Sequence, residues 1–308
     1  MTPPTGDRVT PLLRQRIKAV FRRLPRALAG GEEDLRQMRV AGRRLRVALP
    51  LLGRKPAGKR VRRSLRLLRG MTRTGGISRD LDVSVALLDE EIARSGITAQ
   101  RRVLQRRLKA ARARGRSRMA EALLDLEIAR LRRDLRLLAR QGDGFFAVLR
   151  RLRETREREG AETLALLTAL GDRFDPVELH RLRRCVRRLR YAAELSGALK
   201  GQMPSGAEFR ALQNELGALH DTHVLAGWLE SQARAGAARG ESAVSETAAA
   251  LQAVFLTASQ AHHRAFLAAS PEELIARALA GMGQSTVGVG RAAAAGGRGY
   301  SKEGRPCV

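Results

Sequence analysis

Aromatic rings are scarce in this chain: seven Phe, two Tyr and one Trp make up 3% of 308 residues. Sequence-tolerant binding of single-stranded nucleic acid relies on rings on which successive bases stack. The composition therefore favours a partner that carries phosphates but no bases. Cysteine is nearly absent, and Cys185 and Cys307 form neither a disulfide framework nor a metal-binding spacing. That usage fits a reducing compartment. No apolar run approaches the ~18 residues a membrane-spanning helix needs. The opening MTPPTGDRVTPLLRQRIK also lacks a hydrophobic signal region. The expectation is a soluble, cytoplasmic protein with no membrane partner. Catalytic signatures are missing too: there is no Walker loop, no His-Glu-x-x-His, no G-x-S-x-G and no Cys-x-x-Cys. A binding protein without catalysis or cofactor is expected.

What is present is positive charge. Lys and Arg number 59 against 31 Asp and Glu, for a net +28. Only Lys18, Lys55, Lys59, Lys109, Lys200 and Lys302 are lysines, leaving 53 arginines. A field of that size opposes compaction by self-repulsion and draws polyanions from a distance. Arginine presents a rigid fork of donors suited to bidentate phosphate contacts, whereas lysine acts as a mobile point charge. The 44% hydrophobic content is that of a globular chain, so the charge is not a mark of disorder.

Helical periodicity runs from residue 10 to 283, with little strand alternation. Gly and Pro punctuate it at Gly30-Gly31, Lys55-Pro56, Gly75-Gly76, Gly96, Gly142-Asp143-Gly144, Asp175-Pro176, Gly201 to Gly206 and Gly236 to Gly240. Helices of roughly 15–25 residues joined by short turns are predicted, an all-α bundle. Ala99 to Arg140 reads as one long helix or two, with Gly115 an ambiguous break. Residues 284–308 are Gly- and Ala-rich without periodicity and read as a disordered basic tail.

An internal repeat carries more information. DLRQMRVAGRRLRVAL from Asp34 lies on ELHRLRRCVRRLRYAA from Glu178, and GISRDLDV from Gly76 lies on GALHDTHV from Gly217. The two matches share order and approximate spacing. They predict two pseudo-symmetric, four-helix-bundle-like halves, about 8–142 and 143–283, around a basic groove. In this register Arg36 faces His180, Arg39 faces Arg183, Arg43 and Arg44 face Arg187 and Arg188, and Arg46 faces Arg190. Asp80 pairs with Asp221.

At about 100° per residue, Arg36, Arg39, Arg43 and Arg46 fall within an arc of about 80°. Met38, Leu45, Leu49 and Leu52 form an apolar stripe on one edge of the arc, and Val40 and Val47 lie on the other. In the second copy Leu182, Val186 and Leu189 form the stripe, and Tyr191 stands where Val47 does. A single basic helix face is usually just solvated. Two such rows, each between apolar edges, point instead to a groove with packed stems and converging guanidiniums. Asp80 and Asp221 read as carboxylates that orient those arginines from behind, or as ordinary first-turn acids stabilised by the helix dipole. Asp82 has His223 at its equivalent position, which weakens its case.

His220 and His223, three apart, raise a rival: a metal-dependent phosphohydrolase using His180, His220, Asp221 and His223. The first-half equivalents Arg36, Arg79 and Asp82 could not build the same centre, which favours phosphate-facing or structural histidines. A nucleic-acid-binding protein is the other rival.

These strings resemble the CHAD domain, the conserved histidine α-helical domain, over residues 8 to 283. The resemblance rests on R-Q-M-R-V-A-G-R-R-L-R (36–46), R-D-L-D-V (79–83), H-R-L-R-R-C-V-R-R-L-R-Y (180–191) and L-Q-N-E-L-G-A-L-H-D (212–221). It implies a basic cavity between two helical units that binds inorganic polyphosphate without known catalysis, with nucleic acid at most a weaker competitor. By position, Arg39, Arg43, Arg44 and Arg46 would line it from one half, and His180, Arg183, Arg187, Arg188 and Arg190 from the other. Arg36 departs from the family, which usually has histidine there; arginine keeps a donor with permanent charge, so it stays in the expected set. Oligomeric state and the choice between storage, sensing and granule tethering are left open by the sequence.

Overall fold

The computed structural model describes residues 7–140, 142–201 and 207–283. The segment 284–308, expected to be a loose tail, lies outside them. Among the described residues there are ten α-helices and no strand; one isolated antiparallel bridge joins Gly53 to Gly142. The first five are α1 (Val9–Leu28), α2 (Glu32–Leu52), α3 (Lys59–Ser95), α4 (Ala99–Leu124) and α5 (Ile128–Leu138). The remaining five are α6 (Phe145–Leu170), α7 (Pro176–Lys200), α8 (Ala207–Ala238), α9 (Ser242–Ala268) and α10 (Pro271–Gly283). The all-α expectation holds.

Two breaks fall elsewhere than expected. Ala99 to Arg140 is two helices, but the break is at Asp125 to Glu127 and Gly115 continues α4. Gly75-Gly76 does not end a helix either, because α3 runs 37 residues through it. Packing overrides the intrinsic cost of glycine there. A β-carbon on Gly75 would stand 3.1 Å from Leu35 Cδ1 and 3.2 Å from the Arg39 stem. Glycine at that point lets α2 lie close on α3 and lets an arginine stem pass between them. Gly115 does the same service between α4 and α3, where a β-carbon would meet Leu81 Cδ1 at 2.8 Å.

The apolar stripes behave as their spacing predicts. Met38, Leu45, Leu49 and Leu52 are fully buried, as are Leu182, Val186 and Leu189. They join one core that draws on every helix except the distal parts of α3, α4, α8 and α9. Those distal parts build a second core from Val85, Leu88, Leu104, Leu108, Leu225, Leu229, Leu251 and Phe255. The molecule is thus a broad base continued by a narrower bundle, to which both the α3–α4 and the α8–α9 hairpins contribute.

The junction near Gly142 is strapped to α2. The Gly142 amide donates to Thr10 Oγ1 at 2.9 Å and the Asp143 amide to the Leu52 carbonyl at 2.9 Å. Arg151 donates to the Pro50 and Gly53 carbonyls at 3.2 and 2.8 Å and pairs with Asp143. A cation on the otherwise unpartnered carbonyls at the end of a helix is favourable on both hydrogen-bond and dipole grounds. This fixes the C-terminal end of α2, and with it the row of arginines upstream.

Candidate functional site

Between α2, α3, α7 and α8 the broad base opens into a cleft of about 880 Å³. Eleven arginines line it: Arg36, Arg39, Arg43 and Arg46 from α2, Arg66, Arg69, Arg73 and Arg79 from α3, and Arg183, Arg184 and Arg187 from α7. Asp80, Asp221, His180 and His220 are the other titratable groups in its walls. Of the eleven arginines, only Arg36 and Arg183 meet a carboxylate within ion-pair reach among the described residues. Arg36 forks onto Glu33 at 2.6 Å, and Arg183 stands 3.9 Å from Asp221.

Matched residues occupy matched surroundings across the cleft. Arg39 Nη2 lies 3.6 Å from where a β-carbon on Gly76 would be, and Arg183 Nη2 lies 3.9 Å from the same point on Gly217. In each case a glycine on the neighbouring helix leaves space for the guanidinium. Arg39 is 6% exposed, and its Nε has no partner.

The electrostatics record an unneutralised site. Burial, then the charge of Arg43, lowers the Arg39 guanidinium to about 10. Arg187 is lowered by the same two causes, and Arg46 by burial and then Arg69. Burial also lowers Arg183, against the pull of Asp221. Burial raises Asp80 and Asp221, although Arg39 and Arg183 respectively pull them back. His180 and His220 face each other, Nδ1 to Nδ1, at 3.3 Å with ring centroids 4.8 Å apart. Burial and then Arg183 lower both, His220 to about 3. Near neutral pH the pair is therefore uncharged, and the cleft's charge is set by guanidiniums.

Residues 11–230 match the model of the CHAD domain family. The chain belongs to the CHAD domain family. Two solved structures share this CHAD fold. PptA from Streptomyces chartreusis is 21% identical with a TM-score of 0.68, covering 87% of this chain and 99% of its own. The CHAD domain from the plant Ricinus communis is 22% identical with a TM-score of 0.57, covering 84% and 91% respectively. At those identities the likeness is one of fold. No curated protein matches the chain significantly.

Three arginines expected in the CHAD cavity turn elsewhere, each to a glutamate. Arg44 forms a two-pronged pair with Glu194 at 2.7 and 3.0 Å, on the opposite side of α2 from the cleft. Arg190 reaches Glu194 as well, at 3.3 Å, and both guanidiniums lie over the Tyr191 ring. Arg188 pairs with Glu159 at 2.7 Å and Glu162 at 3.5 Å. The repeat register alone cannot foresee this: Arg44 and Arg188 lie off the helix face that carries each row, and Arg190 is captured by a carboxylate one turn away. Tyr191, expected at the groove edge, is instead buried beneath those two arginines.

Conversely, Arg66, Arg69, Arg73, Arg79 and Arg184 line the cleft unforeseen as anion contacts, together with His220, one of the histidines read as phosphate-facing or structural. Arg66, Arg69 and Arg73 have the same offsets of 0, 3 and 7 as Arg36, Arg39 and Arg43, which is the signal that identifies them. Only Arg69 recurs in the second half, as Arg210, while Ala207 and Asn214 stand where Arg66 and Arg73 would recur.

Asp82 is 5% exposed and accepts from Arg116 of α4 at 2.9 Å, so it ties α3 to α4 rather than addressing the cleft. Among the described residues, no three His, Cys, Asp or Glu side chains are grouped to hold a metal ion. His180 and His220 meet, but His223 is not in the cleft wall. Among the described residues, no helix is long and apolar enough to cross a membrane.

Proposed function

We propose that this CHAD domain binds inorganic polyphosphate in the arginine cleft, as a receptor that holds the chain without cleaving it. One observation carries the reading: two carboxylates, Asp80 and Asp221, share the cleft with eleven arginines, while arginines turned away from it are each met by a glutamate. Arg44, Arg188 and Arg190 have glutamate partners, whereas nine of the eleven cleft arginines have none among the described residues. Five of the unpaired arginines, Arg39, Arg43, Arg46, Arg79 and Arg187, are buried or half-buried, and such cations are costly unless a ligand completes them. A linear chain of phosphates supplies one negative charge per link, can thread between four helices, and needs no stacking rings. Affinity should come from charge neutralisation and so fall linearly on a log–log plot against salt. Recruitment to polyphosphate granules would follow from such binding.

The deciding measurement is a competition titration of labelled polyphosphate against single-stranded RNA with the same number of phosphates, across a salt series. Polyphosphate should win at every salt concentration. Equal competition by RNA would make the cleft a general nucleic-acid surface and sink the reading.

A further inference from the structure

A second cavity of about 480 Å³ opens beside the cleft, between α3 and α4. The two share Arg73 and Ile77 in their walls, so they are adjacent. Their linings differ in kind. The side cavity has an aliphatic floor that includes Leu81 and Met119, with Ile77 at the mouth and Arg73, Arg114 and Arg118 on the rim. None of those three arginines has an ion pair or side-chain hydrogen bond among the described residues. The floor exists because Gly115 lets α4 approach Leu81 closely. Ile77 is 63% exposed, and the core gives it no role.

The order of residues along α3 gives the two cavities one direction. Arg66, Arg69, Arg73 and Ile77 follow at offsets of 3, 4 and 4, so they form one row on one helix face. Three phosphate-type contacts are followed, one turn on, by an apolar one. From this and the shared wall we infer that the paired cavities accept a nucleoside polyphosphate. The base enters between Ile77, Leu81 and Met119 beneath the Arg118 rim, and the phosphate chain runs from Arg73 into the cleft. This inference rests on the polyphosphate reading of the cleft. The volume lies inside the usual range of about 300–1,000 Å³ for small-molecule sites. The scarcity of rings is no obstacle to one base, because aliphatic side chains cover one face and a guanidinium plane can stack on the other. It does argue against a run of bases.

The test is calorimetric titration of the full chain with adenosine triphosphate and, separately, with inorganic tripolyphosphate at one ionic strength. Both ligands offer three phosphates, and only one has a base. Adenosine triphosphate should bind about tenfold more tightly, within the range that one stacked base supplies. Ala111→Leu, which adds bulk to the side cavity and is absent from the cleft wall, should abolish that preference while leaving tripolyphosphate affinity within about twofold. Ala122→Leu, which adds bulk to the side cavity from α4, should do the same. Equal or weaker binding of adenosine triphosphate by the unaltered chain overturns the inference, as does a preference that survives both substitutions. If tripolyphosphate itself fails to bind, the polyphosphate reading falls as well; the two failures are therefore distinguishable.

Discussion

The α2–α3 wall of the cleft and the α7–α8 wall are built from matched sequence and are chemically unequal. The first contributes eight of the eleven arginines and the second three. Position by position, His180 stands for Arg36, His220 for Arg79, and Asn214 for Arg73. The sharpest difference is one residue outside the cleft. Glu194 lies one turn beyond Arg190 and holds it away, whereas the same place after Arg46 is Pro50. With no acid to capture it, Arg46 stays in the cleft wall and donates to Thr72 at 3.3 Å. Equivalent arginines on equivalent helix faces are thus sorted by where the glutamates are. One wall supplies most of the permanent charge, and the other adds two groups whose charge depends on pH.

Neutralising each wall separately tests that inequality most severely. Arg43→Gln, Arg66→Gln, Arg69→Gln and Arg73→Gln together should lower polyphosphate affinity on the order of 10³-fold at low salt. Arg183→Gln, Arg184→Gln and Arg187→Gln should lower it on the order of 10²-fold, since binding scales with the number of phosphate contacts. Salt-dependent titrations of both variants measure the difference, and equal losses would break the comparison.

The next effect concerns Glu194. Replacing it by Ala leaves Arg44 and Arg190 side by side without their shared acid, in surroundings where the Glu194 side chain is only 13% exposed. Stability should fall by about 2–3 kcal/mol, discounted from a fully buried pair because Arg44 is one-third exposed. Urea denaturation at neutral pH checks it. Unchanged stability would show that the shared ion pair with Arg44 and Arg190 contributes nothing to the fold.

The smallest effect belongs to the histidines. In the free protein the unfolded chain takes up protons near the ordinary histidine value while folded His180 and His220 resist them. Stability contributed by their neutral forms is therefore present above about 6.5 and lost as pH falls toward about 3. Bound phosphate offsets the field of Arg183, raises both histidines and reverses the balance, so binding takes up protons. Affinity for long-chain polyphosphate should rise about tenfold from pH 7 to pH 5. His180→Asn with His220→Asn should remove most of that rise. A profile unaltered by the double substitution would assign the dependence to Asp80 and Asp221 instead.

Period and composition made the helices legible, because apolar positions such as Met38, Leu45 and Leu182, Leu189 recur at helical spacing and are buried wherever they recur. The internal match located α2 and α7 as partners and brought Arg39, Arg43, Arg183 and Arg187 to the cleft. It could not separate Arg46 from Arg190, whereas the helix-face spacing already set Arg43 apart from Arg44. A guanidinium sits at the end of a long stem, and its direction is chosen by whichever carboxylate the fold brings within reach. Nor could spacing alone tell that Gly75-Gly76 lies inside a 37-residue helix, since only the approach of α2 gives those glycines their purpose. Sequence by itself determined an all-helical, strongly basic chain with two arginine rows. Tertiary structure decided which arginines remain unpaired, because ion pairing depends on contacts between helices far apart in the sequence.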